Sequence, residues 1–181
     1  MPTLLRDDAG LMPVAFSPDV LLRAETPLDE DAIETLNAAA FGPGRYARTA
    51  FRIREAGRHD PRLSSVAIAP SGLVGSVRMT PIRIDAAPAF LLGPLAVAPA
   101  WAGRGIGRAL VRRALAGADA TARPAVLLVG DLSYYGPCGF VRVDPAAVRL
   151  PGPVEAGRLL VRPAPGIAAG SLSGEVRADA P

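Results

Sequence analysis

Five residues, Gly103-Arg104-Gly105-Ile106-Gly107, stand where a loop is expected to pass into a helix. Peptide N–H groups at a helix start carry partial positive charge, and glycine lets a ligand approach them closely. Such a stretch can cradle phosphate oxygens. Two familiar phosphate-binding patterns are excluded by residue type. A P-loop needs lysine followed by serine or threonine, and the chain has no lysine. A dinucleotide fingerprint needs a third glycine three places after Gly105, where Arg108 stands. Its strand-to-helix turn is also tighter than the stretch from Ala98 to Ala102 allows.

Other side chains with chemical potential are few. Glu55, His59 and Asp131 are polar groups able to accept a proton, and Asp131 could equally cap a turn. Cys138 has no motif linking it to His59, the single histidine, so a small buried residue is the better reading than a nucleophile. Arg45, Arg48, Arg52, Arg54 and Arg58 crowd one segment, with Arg45, Arg48 and Arg52 spaced to share a helix face. They form either a solvated face or a surface for an anionic substrate.

These residues need elements to hold them. Thr26-Pro27-Leu28-Asp29 reads as a helix start with Thr26 as N-cap, and Leu28, Ile33, Leu36 and Ala40 fall on one face. A second helix is expected over Tyr46–Ala56. Ser65–Ala69 and Leu73–Ile84 read as a hairpin, and Phe90–Val97 as a strand leading to the glycine loop. After the loop, Ile106, Leu110, Val111, Ala114 and Leu115 make an apolar stripe opposite Arg104, Arg108 and Arg112. Ala125–Val129 is a continuous apolar run, as in a strand buried on both faces, followed by a short helix capped by Ser133. Phe140–Val143 and Arg158–Arg162 are expected to pair. Successive antiparallel strands after two helices give an α/β chain of the α+β type with a mixed sheet.

The 181 residues suit one domain with a proper core: an irregular lead-in over 1–19, the domain over 20–170 and a flexible tail over 171–181. Half the residues are hydrophobic and 20% charged, which excludes a disordered chain. A net charge of +3 gives no reason to expect nucleic acid as a partner, and one cysteine rules out an internal disulfide or a cysteine-built zinc site. No apolar run reaches the roughly 18 residues of a membrane span, and the N-terminus has no basic-then-apolar signal. A soluble, cytoplasmic protein without a membrane partner is the expectation.

The region around Gly105 and Gly107 resembles motif A of the GNAT superfamily of GCN5-related N-acetyltransferases. That motif runs Gln/Arg, two residues, Gly, one residue, Gly/Ala; Ala102 stands where the Gln or Arg is expected. Tyr135, three residues, Gly139-Phe140 matches the superfamily's later segment. Four further stretches look like its branch of predicted N-acetyltransferases of unassigned substrate: Phe41-Gly42-Pro43-Gly44-Arg45, Leu92-Gly93-Pro94-Leu95-Ala96-Val97, Val129-Gly130-Asp131 with Tyr134-Tyr135-Gly136, and Leu150-Pro151-Gly152-Pro153-Val154. Their order along residues 20 to 170 carries the resemblance.

The resemblance implies a mostly antiparallel central sheet flanked by helices, with two central strands splayed. Acetyl-CoA would be the co-substrate, with no metal. Its pantetheine would meet main-chain groups of Leu95, Ala96 and Val97, and its pyrophosphate the stretch Gly103, Arg104, Gly105, Ile106, Gly107 and Arg108. Gly93-Pro94 gives an independent reason to expect an interrupted ladder there, because proline cannot donate to it. By the same resemblance Tyr135 is the acid that protonates the leaving thiolate, while no base is assigned because Phe90–Val97 contains no carboxylate. The acceptor would be an amine of a small molecule or protein, anionic if the arginines read it, and a homodimer is compatible with the family. A non-catalytic acyl-CoA-binding domain of the same fold is the alternative.

Overall fold

The computed structural model describes residues 14–17, 19–44, 49–123, 125–155, 157–164 and 166–179. Arg45, Tyr46 and Arg48, the sequence-predicted start of the arginine-rich helix, lie outside them. The chain forms a mixed α/β fold whose sheet is mostly antiparallel, as expected. Among the recorded pairings only β5 (Ala87–Val97) with β6 (Ala125–Val129), and β8 (Val148–Arg149) with β10 (Gly174–Ala178), run parallel. Two compact units are distinguishable, and β4 (Gly72–Ile84), β5 and α3 (Ile106–Asp119) each contribute residues to both.

The first unit holds β1 (Val14–Ser17), β2 (Val20–Ala24), α1 (Glu30–Phe41), β3 (Ser65–Ala69), β4 up to Met79, β5 from Pro94 and most of α3. β1, β2, β3 and β4 pair antiparallel in sequence order. β1 lies inside the expected irregular lead-in. Thr26 heads the turn as predicted: its N–H and hydroxyl both donate to the Asp29 carboxylate, at 2.8 Å each. That carboxylate also takes a two-pronged bond from Arg23, 2.7 Å on each arm. Leu28 departs from the predicted buried face and is 94% exposed, because Pro27–Asp29 forms a 3-10 turn out of phase with α1. Ile33 and Leu36 are buried as expected, whereas Ala40 is exposed.

Arg78 is the charged centre of this unit. It donates to Glu25, at 2.6 Å, and to Glu30, at 2.6 Å, so the buried Glu25 carboxylate is matched. A lone carboxylate at that depth would be costly. Across β4, Gly75 lets α3 come close: a methyl there would stand 3.1 Å from Leu110 and 3.2 Å from Ile106. The predicted stripe of Ile106, Leu110, Val111, Ala114 and Leu115 is buried, and Arg104, Arg108 and Arg112 are exposed.

The second unit holds α2 (Thr49–Ala56), β4 from Thr80, β5 up to Gly93, β6, α4 (Leu132–Tyr135), β7 (Val141–Arg142), β8, β9 (Leu159–Pro163) and β10. β9 pairs antiparallel with β6 along five residues and with β7 through Val141–Val161 and Arg142–Leu160, as predicted. Ile53 of α2 enters a core with Ile82, Leu91, Leu127, Val161, Leu172 and Val176.

The tail differs from expectation at its middle. Gly174–Ala178 forms β10, antiparallel to β4 through Val176–Ile84, Arg177–Arg83 and Ala178–Ile82. Val176 is buried on it. Asp85, in a left-handed turn at φ 49°, accepts the Glu175 N–H at 2.8 Å. Arg123 reaches Asp179 at 2.8 Å while lying over the Phe90 ring at 4.9 Å. The periodic apolar residues of β10 therefore outweigh the Pro, Gly and Ala around them.

Candidate active site

The β5–β6 register comprises two residue pairs, Phe90–Val126 and Leu91–Leu127. On its other edge β6 stays paired with β9 as far as Val129–Leu159. The short register ends just before Gly93, whose φ of 114° is open to glycine and strained for other residues. Pro94 follows with no N–H to give. Leu95 and Val97 are half-buried and Ala96 is buried. Ala98 then donates its N–H to Val74 at 2.8 Å, which fixes where the strand ends.

From there the chain makes a 3-10 turn over Pro99–Trp101, closed by the Trp101 N–H to Ala98 C=O at 2.8 Å. Gly103 and Gly105 take φ values of 76° and 81°, and α3 begins at Ile106. The Ala109 N–H bonds Gly105 C=O at 3.0 Å, so the hydrogen-bond ladder of α3 starts at the glycine loop. Gly103, Arg104, Gly105 and Arg108 are exposed, whereas Ile106 and Gly107 are buried. Above Gly103 a methyl would meet nothing within 4 Å. Donor amides at a helix start beneath open space suit an anion. Ala102, where motif A expects a long polar side chain, is exposed and offers only a methyl. Arg104 lies over the Trp101 ring, 4.7 Å from its centroid.

These six loop and helix residues, together with Leu95, Ala96 and Val97, belong to the first unit; Tyr135 belongs to the second. Tyr135 ends α4, whose N-cap position is Asp131 and not the expected Ser133. The Asp131 C=O accepts the N–H groups of Tyr134, at 3.0 Å, and Tyr135, at 3.1 Å. Its carboxylate is exposed and faces Arg158 at 3.3 Å. Gly139, at φ 87°, stops the following 3-10 turn and delivers Phe140 to the interior. The Phe140 ring meets Tyr135 edge-on, centroids 5.8 Å apart, and Tyr134 meets it at 4.8 Å. Gly130 presses on the same ring: a methyl there would lie 2.5 Å from Tyr135 Cε2. The spacing from Tyr135 to Gly139-Phe140 thus seats one ring against another.

Burial pushes the Tyr135 phenol well above its ordinary value. Tyr134, Asp131 and Cys138 add to the rise, and Arg158 opposes it. The group therefore keeps its proton throughout the neutral range. Glu55 is exposed on α2, while His59 and Cys138 are half-buried.

Sequence reasoning missed one connection among the candidate residues. Thr49 Oγ1 donates to Pro153 C=O at 2.6 Å, and Gly152 approaches so closely that a methyl would stand 3.0 Å from Thr49 Oγ1. The arginine-bearing α2 and the Pro151–Pro153 loop are therefore one structural piece. The only hint in the chain is the glycine between two prolines.

A family profile described as the GNAT acetyltransferase domain matches residues 62–142. The uncharacterized N-acetyltransferase YhbS of Escherichia coli K12 is 30% identical over 124 residues, covering 67% of this chain and 73% of YhbS. Among solved structures, E. coli YhbS in complex with CoA is similar with a TM-score of 0.74 at 24% identity, over 91% of this chain and 92% of that one. A GNAT family acetyltransferase from Brucella melitensis in complex with acetyl-CoA is similar with a TM-score of 0.57 at 29% identity, over 77% and 94% respectively. Profile, sequence relative and fold agree, and the chain belongs to the GNAT family of N-acetyltransferases.

Proposed function

We propose that the protein transfers the acetyl group of acetyl-CoA to an amine by direct attack in a ternary complex. The observation that carries this reading is the strand–loop–helix geometry: a β5–β6 register that stops before the positive-φ Gly93, then Gly103 and Gly105 with positive φ leading into α3. Both named complexes of similar GNAT proteins hold CoA or its acetyl ester. On this reading main-chain groups of Leu95, Ala96 and Val97 align the pantetheine arm and polarise the thioester carbonyl. Amides from Gly103 to Arg108 hold the pyrophosphate, helped by the Arg104 and Arg108 guanidiniums.

The chemistry moves two protons. A C–N bond forms as the C–S bond breaks; one proton leaves the attacking nitrogen and one reaches sulfur. A thiol with a pKa near 8.5 makes the thiolate a fair leaving group, so a weak acid suffices to assist it. The Tyr135 phenol, kept protonated by its burial, donates to that sulfur as charge builds. Arg52 and Arg58 in and beyond α2, with the other arginines of the segment, favour an acceptor bearing a carboxylate or phosphate. The donor sets the reaction in the cytoplasm; no helix of the described residues is long and apolar enough to cross a membrane.

An amine panel with acetyl-CoA tests the reading. Turnover is expected on anionic amines, and a preference for cationic polyamines would overturn the acceptor assignment. The absence of turnover on every amine, in a protein that binds acetyl-CoA, would overturn catalysis.

A further inference from the structure

The cation–π contact of Arg104 with Trp101 is not explained by packing alone. Arg104 is exposed, and among the described residues it has no acidic partner. A free arginine side chain in that position would sample many rotamers. Its guanidinium instead lies over the indole, 4.7 Å from the ring centroid. The backbone that carries the half-buried Trp101 is fixed: its main-chain N–H closes the 3-10 turn on Ala98, whose own N–H is tied to Val74 of β4. The chain's one tryptophan thus offers an aromatic face on an anchored turn beside the glycine loop.

A guanidinium carries five N–H donors along its edges, and a contact with one ring leaves donors for an anion. Those edge donors are the ones that recognise phosphate oxygens in pairs. We propose that Trp101 is a positioning residue for the donor's phosphates, holding Arg104 ordered before the ligand arrives. This inference rests on the acetyl-CoA reading above. Ordering a long side chain in advance removes part of the entropy cost of binding. The consequence is an energetic coupling between two residues, with Trp101 acting only through Arg104.

A double-mutant cycle read by calorimetric titration with acetyl-CoA tests it. Trp101→Leu is expected to weaken binding about fivefold, the scale of ordering one long side chain. In an Arg104→Met background the same change is expected to cost nothing further. Trp101→Phe keeps an aromatic face and is expected to stay within about twofold of the parent. Equal losses from Trp101→Leu with and without Arg104 would overturn the inference, because they would make Trp101 a purely structural support. So would a Trp101→Phe as weak as Trp101→Leu in proteins with matched thermal melts. If Trp101→Leu fails to fold, the Trp101→Phe and Arg104→Met comparison decides: an Arg104→Met without effect overturns the inference. A parent that does not bind acetyl-CoA would instead remove the donor reading beneath it.

Discussion

Tyr135 is held by contacts on several sides, and each makes a separate prediction. Removing its hydroxyl in Tyr135→Phe leaves the ring contacts with Phe140 and Gly130 intact, so acetyl-CoA binding should be unchanged. Turnover should fall about 100-fold, the low end for loss of a general acid; steady-state kinetics beside calorimetry would separate the two. Because burial raises the phenol's pKa, the protonated form persists above its usual limit. The rate should therefore rise with pH as the acceptor amine deprotonates, with no Tyr135-dependent fall below pH of about 10. A descending limb near pH 8 that disappears in Tyr135→Phe would contradict this. Gly130→Ala places a methyl against the ring and should cost about 1–3 kcal/mol in denaturant unfolding. Tyr135 was singled out by the resemblance of its spacing to Gly139 and Phe140, and its role as the acid is what Tyr135→Phe tests. Gly130's part was not, since its contact with the ring of α4 depends on how the turn after β6 folds back and leaves no pattern of residue types.

At the scale of elements, the strand, glycine loop and helix around Gly105 were legible because each carries its own local signal. Gly93-Pro94 lies just past the last β5–β6 pair, positive φ needs Gly103 and Gly105, and the stripe from Ile106 to Leu115 has helical period. β10 was hidden by its setting. Gly174-Glu175-Val176-Arg177 does alternate buried and exposed residues, yet it follows a run of Pro, Gly, Ala and Ser that reads as irregular. Leu28 was misplaced for a related reason: helix phase was extended back into a 3-10 turn. The base remained unread because Glu55, His59 and Asp131 sit on three separate segments without a shared motif. Deleting residues 174–181 should be severe. It strips Val176 from the core and Asp179 from Arg123, and opens the edge of β4 at Ile82–Ile84. A loss of about 3 kcal/mol or more is expected in thermal or denaturant unfolding. A deletion that melts like the parent would show that β10 contributes little to the fold.

For the molecule as a whole, ion pairs set the response to acid. The Arg23 guanidinium and the Thr26 donors hold the Asp29 carboxyl at about 2, below the ordinary 3.8. A depressed carboxylate contributes stability above its unfolded value, and that contribution drains as pH falls from about 4 to 2. Asp179 is shifted the same way by Arg123. Asp29→Asn should therefore cost about 1–2 kcal/mol at pH 7, with the gap to the parent closing as melts are repeated toward pH 2. A gap independent of pH would mean that the carboxylate's charge is not what Arg23 recognises. The family profile spans residues 62–142 and YhbS matches 67% of the chain, while Thr49 joins α2 to the Pro151–Pro153 loop. The proposed donor site is the glycine loop at the start of α3, where acetyl-CoA would be held. Calorimetric titration of the parent with acetyl-CoA should show saturable micromolar binding, lost in Gly105→Glu, where a charged side chain would occupy a backbone at φ 81°. A parent that takes up no acetyl-CoA, or a Gly105→Glu that binds it undiminished, would contradict the account.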